Sequence, residues 1–370
     1  MRFPKLFSVL AALALTGCAS VGSPVFPDTP TDAFAQESVR AEDSSSSTDP
    51  LDIGLVVHFI NVGQGDSILL ESDNHFMLVD ARENDQADTV ISYLENAGVC
   101  ALDYVVGTHP HSDHIGGLDK VIEHFDVSNV ILPPVEHTTR TFEDVLDAVE
   151  AKDLKITRPK VGDTRSLGRA NFTILAPNDD YGKDLNDWSV GLRVTYGDNR
   201  FVMCGDAETL AEADMLKNGI DLSADVLKLG HHGSSTSSSP AFLDAVNPSV
   251  AIISCGQGNS YGHPHRETME KLSERNITVY RTDEDGSITA ACDGENIIWG
   301  TESAGTRYTP SSSLSRPAAQ TYVLNTNSKK FHLSDCPAAA RIKEENRGEF
   351  SGNRQELLSQ GYAPCGQCNP

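Results

Sequence analysis

Short apolar runs recur from residue 55 onward, each closed by Gly, Asp or Asn. Residues 55–62, 67–70 and 75–80 read as strands, the first two separated by Gly63-Gln64-Gly65-Asp66. The period then lengthens: Val90, Ile91 and Leu94 share one face of a helix over 88–98, stopped by Gly98. Residues 102–106 form an apolar run that reads as a buried strand, followed by a helix over 118–125 and a strand over 129–132. Phe142, Val145, Leu146 and Val149 predict a helix over 141–152. Residues 190–196 and 200–204 pair around the turn Gly197-Asp198-Asn199. A helix over 208–218, strands over 225–229 and 250–254, and a helix over 266–275 complete the series. This alternation, passing into hairpin-rich stretches, predicts an α/β fold.

The ends follow other patterns. Arg2 and Lys5 precede an apolar run from Leu6 to Leu15, too short to span a bilayer and laid out as an export signal. It ends in Leu15-Thr16-Gly17-Cys18, which resembles the bacterial lipoprotein cleavage site. The resemblance implies a signal peptide over 1–17 and a lipidated Cys18 that tethers the chain, extracytoplasmically, to the cell membrane. Residues 18–50, rich in Ser, Pro, Thr and acids, hold too little apolar surface to fold and read as a disordered tether. A second Ser-, Thr- and Pro-rich stretch, 302–320, reads as a linker. Between them, 51–301 is long enough for one domain, and 321–370 for a small module.

The formal net charge of −24 favours solubility and opposes unspecific polyanion binding. Of the eight cysteines, Cys100, Cys204, Cys255 and Cys292 are scattered, with no spacing that imposes a disulfide.

The densest chemistry is Thr108-His109-Pro110-His111-Ser112-Asp113-His114-Ile115-Gly116-Gly117, directly after the 102–106 strand. Three imidazoles and a carboxylate at a strand end suit zinc, manganese or iron rather than calcium. His109-x-His111-x-Asp113-His114 resembles the signature of the metallo-β-lactamase superfamily. Asn61-Val62-Gly63-Gln64-Gly65-Asp66-Ser67 and Gly230-His231-His232-Gly233-Ser234 resemble its ComEC branch of DNA-uptake competence hydrolases. The resemblance covers residues 53–300 and implies an αββα sandwich holding two divalent metals, Zn or Mn. By that resemblance His109 and His111 hold one metal; Asp113, His114 and His231 hold the other; and Asp206, in Gly205-Asp206-Ala207, bridges them. It also implies a place beside the metals for Asp66, an orienting role for Asp80, and His263 of Tyr261-Gly262-His263-Pro264 in the site. His232 and His263 are candidates to assist the leaving oxygen, and the Ser/Thr run 234–239 offers donors for phosphate oxygens. One departure is the stretch Asn186-Asp187-Trp188-Ser189, where many members place a further metal-binding histidine; Asp187, Asn186 or water is left to fill that place.

In the last module, His332-x3-Cys336 and Cys365-x2-Cys368 have the spacing of a structural zinc site, a staple that so small a segment needs. The segment resembles the zinc-binding module of the Ada DNA-repair protein, with His332 in place of a cysteine. A disulfide pair with one odd thiol is the alternative reading.

The expected function is extracytoplasmic hydrolysis of phosphodiesters, with DNA as the substrate, by metal-activated hydroxide. Hydrolysis of a small ester, lactone or phosphodiester, and non-enzymatic DNA capture at the surface, are the rivals.

Overall fold

The computed structural model describes residues 52–303 and, further on, 320–334, 336–352, 357, 360–365 and 368. The expected signal peptide, Cys18 and tether, with most of the 302–320 linker, lie outside the described residues.

The chain opens as a meander: β1 (Leu55–Phe59), β2 (Ile68–Ser72) and β3 (His75–Val79) pair antiparallel in sequence. Helix α1 (Ala87–Asn96) then crosses to β4 (Ala101–Val106), which runs parallel to β3. After the short α2 (Ser112–Ile115) and α3 (Leu118–His124) come β5 (Asp126–Ile131), α4 (Arg140–Ala151) and β6 (Ile156–Thr157). The second sheet begins with β7 (Thr164–Leu167), β8 (Ala170–Ala176), β9 (Gly191–Tyr196) and β10 (Asn199–Met203), all antiparallel neighbours. Helices α5 (Thr209–Lys217), α6 (Pro240–Val246) and α7 (Arg266–Glu274) then alternate with β11 (Val226–Lys228), β12 (Val250–Ile253) and β13 (Thr278–Arg281), which extend the sheet in parallel. Finally β14 (Ile288–Cys292) and β15 (Ile297–Thr301) return to the first sheet, β14 pairing with β1.

Side chains alternate across each strand, and the burial follows. Leu55, Val57 and Phe59 of β1 meet Phe172, Leu192, Val194 and Phe201 of the second sheet in a core between the sheets. The outer face of the first sheet is packed by Val90, Leu94, Leu118, Val121, Phe142 and Val145 from α1, α3 and α4. Ala211, Met215, Phe242, Val246 and Leu272 from α5, α6 and α7 cover the second. This is the αββα sandwich expected.

A third sheet comprises β16 (Gln320–Asn325), β17 (Lys330–Leu333), β18 (Arg347–Gly352) and β19 (Ala363–Pro364), in the order β18-β16-β17-β19. Tyr322, Leu324, Phe331, Leu357 and Tyr362 are its small core.

Candidate metal centre

The parallel strands of both sheets end on the same cluster of side chains. Asp80 follows β3, His109 follows β4, Asp206 follows β10, and His231 and His232 follow β11. Several of these residues are held in left-handed backbone, with φ of 59° at Asp80, 50° at His231 and 55° at His232. Non-glycine residues in that region are strained, and such strain collects where function over-determines the backbone. Gly205, at φ 51°, lets β10 turn into Asp206; a Cβ there would meet Thr108 at 2.8 Å and Ser189 at 2.9 Å.

Asp80 is fully buried and turned away from the centre. Its Oδ1 accepts from Thr108 N at 2.8 Å, and its Oδ2 accepts from Thr108 Oγ1 at 2.7 Å and from His114 Nδ1 at 2.8 Å. That bond fixes the proton of His114 on Nδ1 and leaves the Nε2 lone pair pointing inward. His232 is set the same way: Nδ1 donates to the Ser254 carbonyl at 3.0 Å. The two Nε2 atoms then face each other at 3.3 Å, and His114 Nε2 is 3.1 Å from Asp206 Oδ1. Asp206 Oδ1 is buried and accepts no hydrogen bond. Asp113 Oδ2 lies 3.4 Å from His232 Nε2 and 3.9 Å from His114 Nε2. Lone pairs and a carboxylate oxygen converging at one buried point call for a cation between them.

The electrostatics agree. Burial opposes charge on His114, yet Asp206, Asp80 and Asp113 raise its pKa well above the ordinary histidine value. His232 is raised in the same way, against burial, by Asp206, Asp113 and Asp66. The cluster is built for positive charge, which a divalent ion supplies to several ligands at once. The donor atoms of Asp66, His114, Asp206 and His232 lie within 4.8 Å of one another.

A second set adjoins it. His109 Nε2 faces His111 Nδ1 at 3.0 Å and Asp206 Oδ2 at 3.9 Å, while His109 Nδ1 is occupied by Thr108 Oγ1 at 3.1 Å and Ser189 Oγ at 3.3 Å. Burial, then His114, hold the pKa of His109 well below its usual value, leaving the neutral imidazole that binds metals. Asp206 thus lies between the two sets: its Oδ1 is 3.1 Å from His114 Nε2, and its Oδ2 is 3.5 Å from His232 Nε2 and 3.9 Å from His109 Nε2.

The structure differs from the expected division of the histidine pair. Left-handed backbone at both residues splays the rings, whose planes stand at 72°. His232, 1% exposed, joins His114, Asp113 and Asp206, the place expected for His231, so it is not free to act as a proton carrier to the substrate. His231 sits at the rim, its Nδ1 anchored on Glu208 Oε1 at 3.0 Å and its Nε2 3.7 Å from Asp206 Oδ2. It therefore approaches the oxygen that His109 also faces.

Nor does the Ser/Thr run 234–239 offer its amides to a ligand. Ser234 N donates to His231 O, Ser235 N to His265 Nδ1, Thr236 N to Ser234 Oγ and Ser237 N to Ser234 O. Ser238 N and Ser239 N both donate to the buried Glu212 carboxylate. These amides hold the loop in its own shape. Asp187 is likewise engaged: Oδ1 accepts from Glu208 N at 2.8 Å and Ala211 N at 3.4 Å, at the start of α5. It does not replace the absent histidine.

Asp66 is buried behind His232, Oδ1 at 3.4 Å from its Nδ1. Its Oδ2 accepts from Lys228 Nζ at 2.7 Å, and both side chains are buried. Burial would raise this carboxyl, but Lys228, then His232, hold it well below the usual carboxylate range. Lys228 escaped the sequence reading, although a lysine inside an apolar strand was a visible anomaly. Ser189, Glu208 and Ser254 also position ligands, and no sequence pattern marked them.

Above the cluster opens a cavity of about 330 Å³, lined by Gln64, His111, Ser112, Asp113, Asn186, Asp206, His231, His232, Tyr261 and His263. His263 faces it with Nδ1 buried and unbonded. Burial, then His232 and His231, push its pKa down to about 4.

In the third sheet, the donor atoms of His332, Cys336, Cys365 and Cys368 also lie within 4.8 Å of one another. Four converging donors suit a tetrahedral ion better than one bridged pair and an odd thiol. Cys100, Cys204, Cys255 and Cys292 form no disulfide.

The chain is similar to known proteins. A 250-residue stretch is 30% identical to ComE operon protein 3 of Bacillus subtilis (strain 168), covering 63% of this chain and 32% of that protein. Competence protein ComA of Neisseria gonorrhoeae is 32% identical over 230 residues, covering 62% of this chain and 31% of that protein. The chain thus spans about a third of the length of the curated relatives it matches. The solved metallo-beta-lactamase fold protein YhfI from Bacillus subtilis aligns at a TM-score of 0.40 with 13% identity, covering 61% of this chain and 95% of that one. Residues 60–257 match the metallo-beta-lactamase superfamily, a span that holds every ligand described at the catalytic centre. The chain belongs to that superfamily of metal-dependent hydrolases, in the branch of its competence-protein relatives.

Proposed function

We propose that the chain hydrolyses phosphodiesters, with DNA as the substrate. The observation that carries this reading is the buried convergence of His114 Nε2, His232 Nε2 and Asp206 Oδ1 beneath an open cavity. The competence proteins among its relatives support DNA as the substrate. His114, His232, Asp113 and Asp206 would hold one ion, and His109, His111 and Asp206 the other, with His231 in reach of Asp206 on that side. Zinc or manganese fits this donor set. Such ions supply a nucleophile at neutral pH and neutralise phosphoryl charge.

The remaining chemistry belongs to the protein. Asp80 and Ser254 hold His114 and His232 in one tautomer each. Lys228 keeps Asp66 ionised beneath His232. His263 lines the cavity, its pKa pushed down by burial, and is the candidate to assist the leaving oxygen. The His332, Cys336, Cys365 and Cys368 cluster would take one structural zinc and staple an Ada-like module that grips DNA. Lipidated Cys18 would anchor the enzyme outside the cytoplasm, and Cys18→Ser should move it from the membrane to the soluble fraction.

Incubating the purified chain with Mn or Zn and single- or double-stranded DNA is the direct assay. Metal-dependent cleavage that disappears in His111→Ala is expected. Absence of cleavage, with turnover of a small ester, lactone or phosphodiester instead, would move the assignment to the small-substrate reading that the −24 charge favours.

A further inference from the structure

Only three large apolar side chains are exposed among the described residues: Ile156, Leu210 and Tyr261. Tyr261 is 64% exposed and lines the catalytic cavity. Its ring lies nearly parallel to that of His263, at 20° with centroids 5.6 Å apart.

The loop carrying it is not loose. Asn259 staples it with both ends of its amide: Nδ2 donates to the carbonyls of Gly256 at 3.0 Å and His263 at 2.6 Å. Its Oδ1 accepts from Tyr261 N at 3.2 Å and His263 N at 3.0 Å. The Tyr261 carbonyl accepts from His265 Nε2 at 3.2 Å, and His265 Nδ1 is tied to Ser235 N at 2.9 Å. Backbone bonds thus hold an aromatic ring at the mouth of the site at the cost of leaving it in water. The stack on His263 sets its tilt, and among the described residues nothing bonds its hydroxyl. A ring placed for packing would be covered.

We propose that Tyr261, backed by His263, is a stacking shelf for an unpaired nucleobase next to the scissile phosphate, and so a specificity-determining residue. Every base offers a π-face, so such a shelf accepts any sequence. It requires the base to be out of a duplex, because a paired and stacked base presents no free face to the ring. Asn259 is a positioning residue that acts through the loop. The inference rests on the phosphodiester reading for its substrate, but it is read by binding and needs no turnover.

The test is fluorescence anisotropy with the full chain and three labelled probes of equal length: a single-stranded oligothymidylate, the same backbone with an abasic tract, and a duplex. Tyr261→Leu is expected to weaken the oligothymidylate by about 5- to 160-fold, the range of one lost base–aromatic stack. It should leave the abasic probe and the duplex unchanged, and Tyr261→Phe should restore wild-type binding. Asn259→Ala should give a partial loss with the same dependence on bases. Equal losses on base-containing and abasic probes would overturn the shelf, as would no loss at all or failure of wild type to prefer the single strand. Binding with this pattern but no cleavage would leave the shelf standing and remove the hydrolytic reading alone.

Discussion

Replacing Lys228 by Met removes the ammonium and keeps most of the side chain's volume. In the native protein that ammonium is 1% exposed and donates to Asp66 Oδ2 at 2.7 Å and to the Leu229 carbonyl at 3.0 Å. Its loss strands a carboxylate that is itself 2% exposed, which typically costs about 3–5 kcal/mol. At about 2–4 °C per kcal/mol for a domain of this size, the melting temperature should fall by about 6–20 °C. The sign of the pH effect follows. In the native chain Asp66 has a depressed pKa, so its contribution is full above the ordinary carboxylate value of 3.8 and is lost as pH falls toward the lower folded value. In Lys228→Met, burial meets less opposition and raises the carboxyl. The variant then takes up a proton on acidification, and its deficit should narrow. The double variant Asp66→Asn, Lys228→Met leaves no buried charge at the pair and should recover most of the loss. Urea titrations followed by Trp188 and Trp299 fluorescence, run in chelator so that metal affinity does not enter, measure all three. A Lys228→Met deficit below about 1 kcal/mol, or a double variant no better than the single, would refute the reasoning.

Adding Mn or Zn to chelated protein should raise its melting temperature, by an amount equivalent to about 2.7 kcal/mol at a hundredfold excess over Kd. Asp206→Asn should flatten that response in the same thermal scan, since Asp206 faces both sets of nitrogens. His58 lies outside the metal centre, and burial pushes its pKa down from 6.5 to about 4. The unfolded chain binds that proton first, so stability should fall by about 1.4 kcal/mol per pH unit between those values. His58→Phe should remove that slope in urea titrations. Cys365→Ser should lower bound zinc by one equivalent per chain, measured by metal analysis, while metal-dependent turnover of a small phosphodiester persists.

What the sequence revealed was local chemistry with a steep signature. The His109–His114 cluster, Asp206 behind a glycine turn and the paired histidines all sit at strand ends, and the apolar runs around them have the right length. The polar edges were less visible. Strand β7 reads Thr-Arg-Ser-Leu and carries almost no apolar signal, because an edge strand needs little. Helix α6, which begins directly after the Ser/Thr run, was not predicted, although Ser239 caps it through Phe242 N with Pro240 in the first turn, a start signal plain in the sequence. Pairings between distant segments had no local trace. β14 joins β1 across more than two hundred positions, and Lys228 meets Asp66 across 162. The tautomers of His114 and His232 depend on Asp80 and on one backbone carbonyl, 34 and 22 positions away. Spacing cannot encode such contacts; the two sheets bring them together.

The charge of the whole chain has been the strongest argument against a polyanionic substrate, and the geometry shows why it does not decide the matter. The acids that line the cavity are Asp113 and Asp206, and both point their oxygens at the imidazole nitrogens. The other lining groups are neutral amides, a hydroxyl, a phenol and histidines. Two divalent ions would therefore outweigh the carboxylates facing them and leave the mouth electropositive within an acidic protein. Electrostatic screening confines a distant surface charge to about 8–10 Å at physiological salt, so the local sign governs what enters. Unspecific adhesion to duplex DNA is discouraged by the same surface. On the proposed function, a phosphate would reach the site only where the backbone of the strand could be delivered to the ions, and a single strand that also seated a base on Tyr261 would meet both requirements at once.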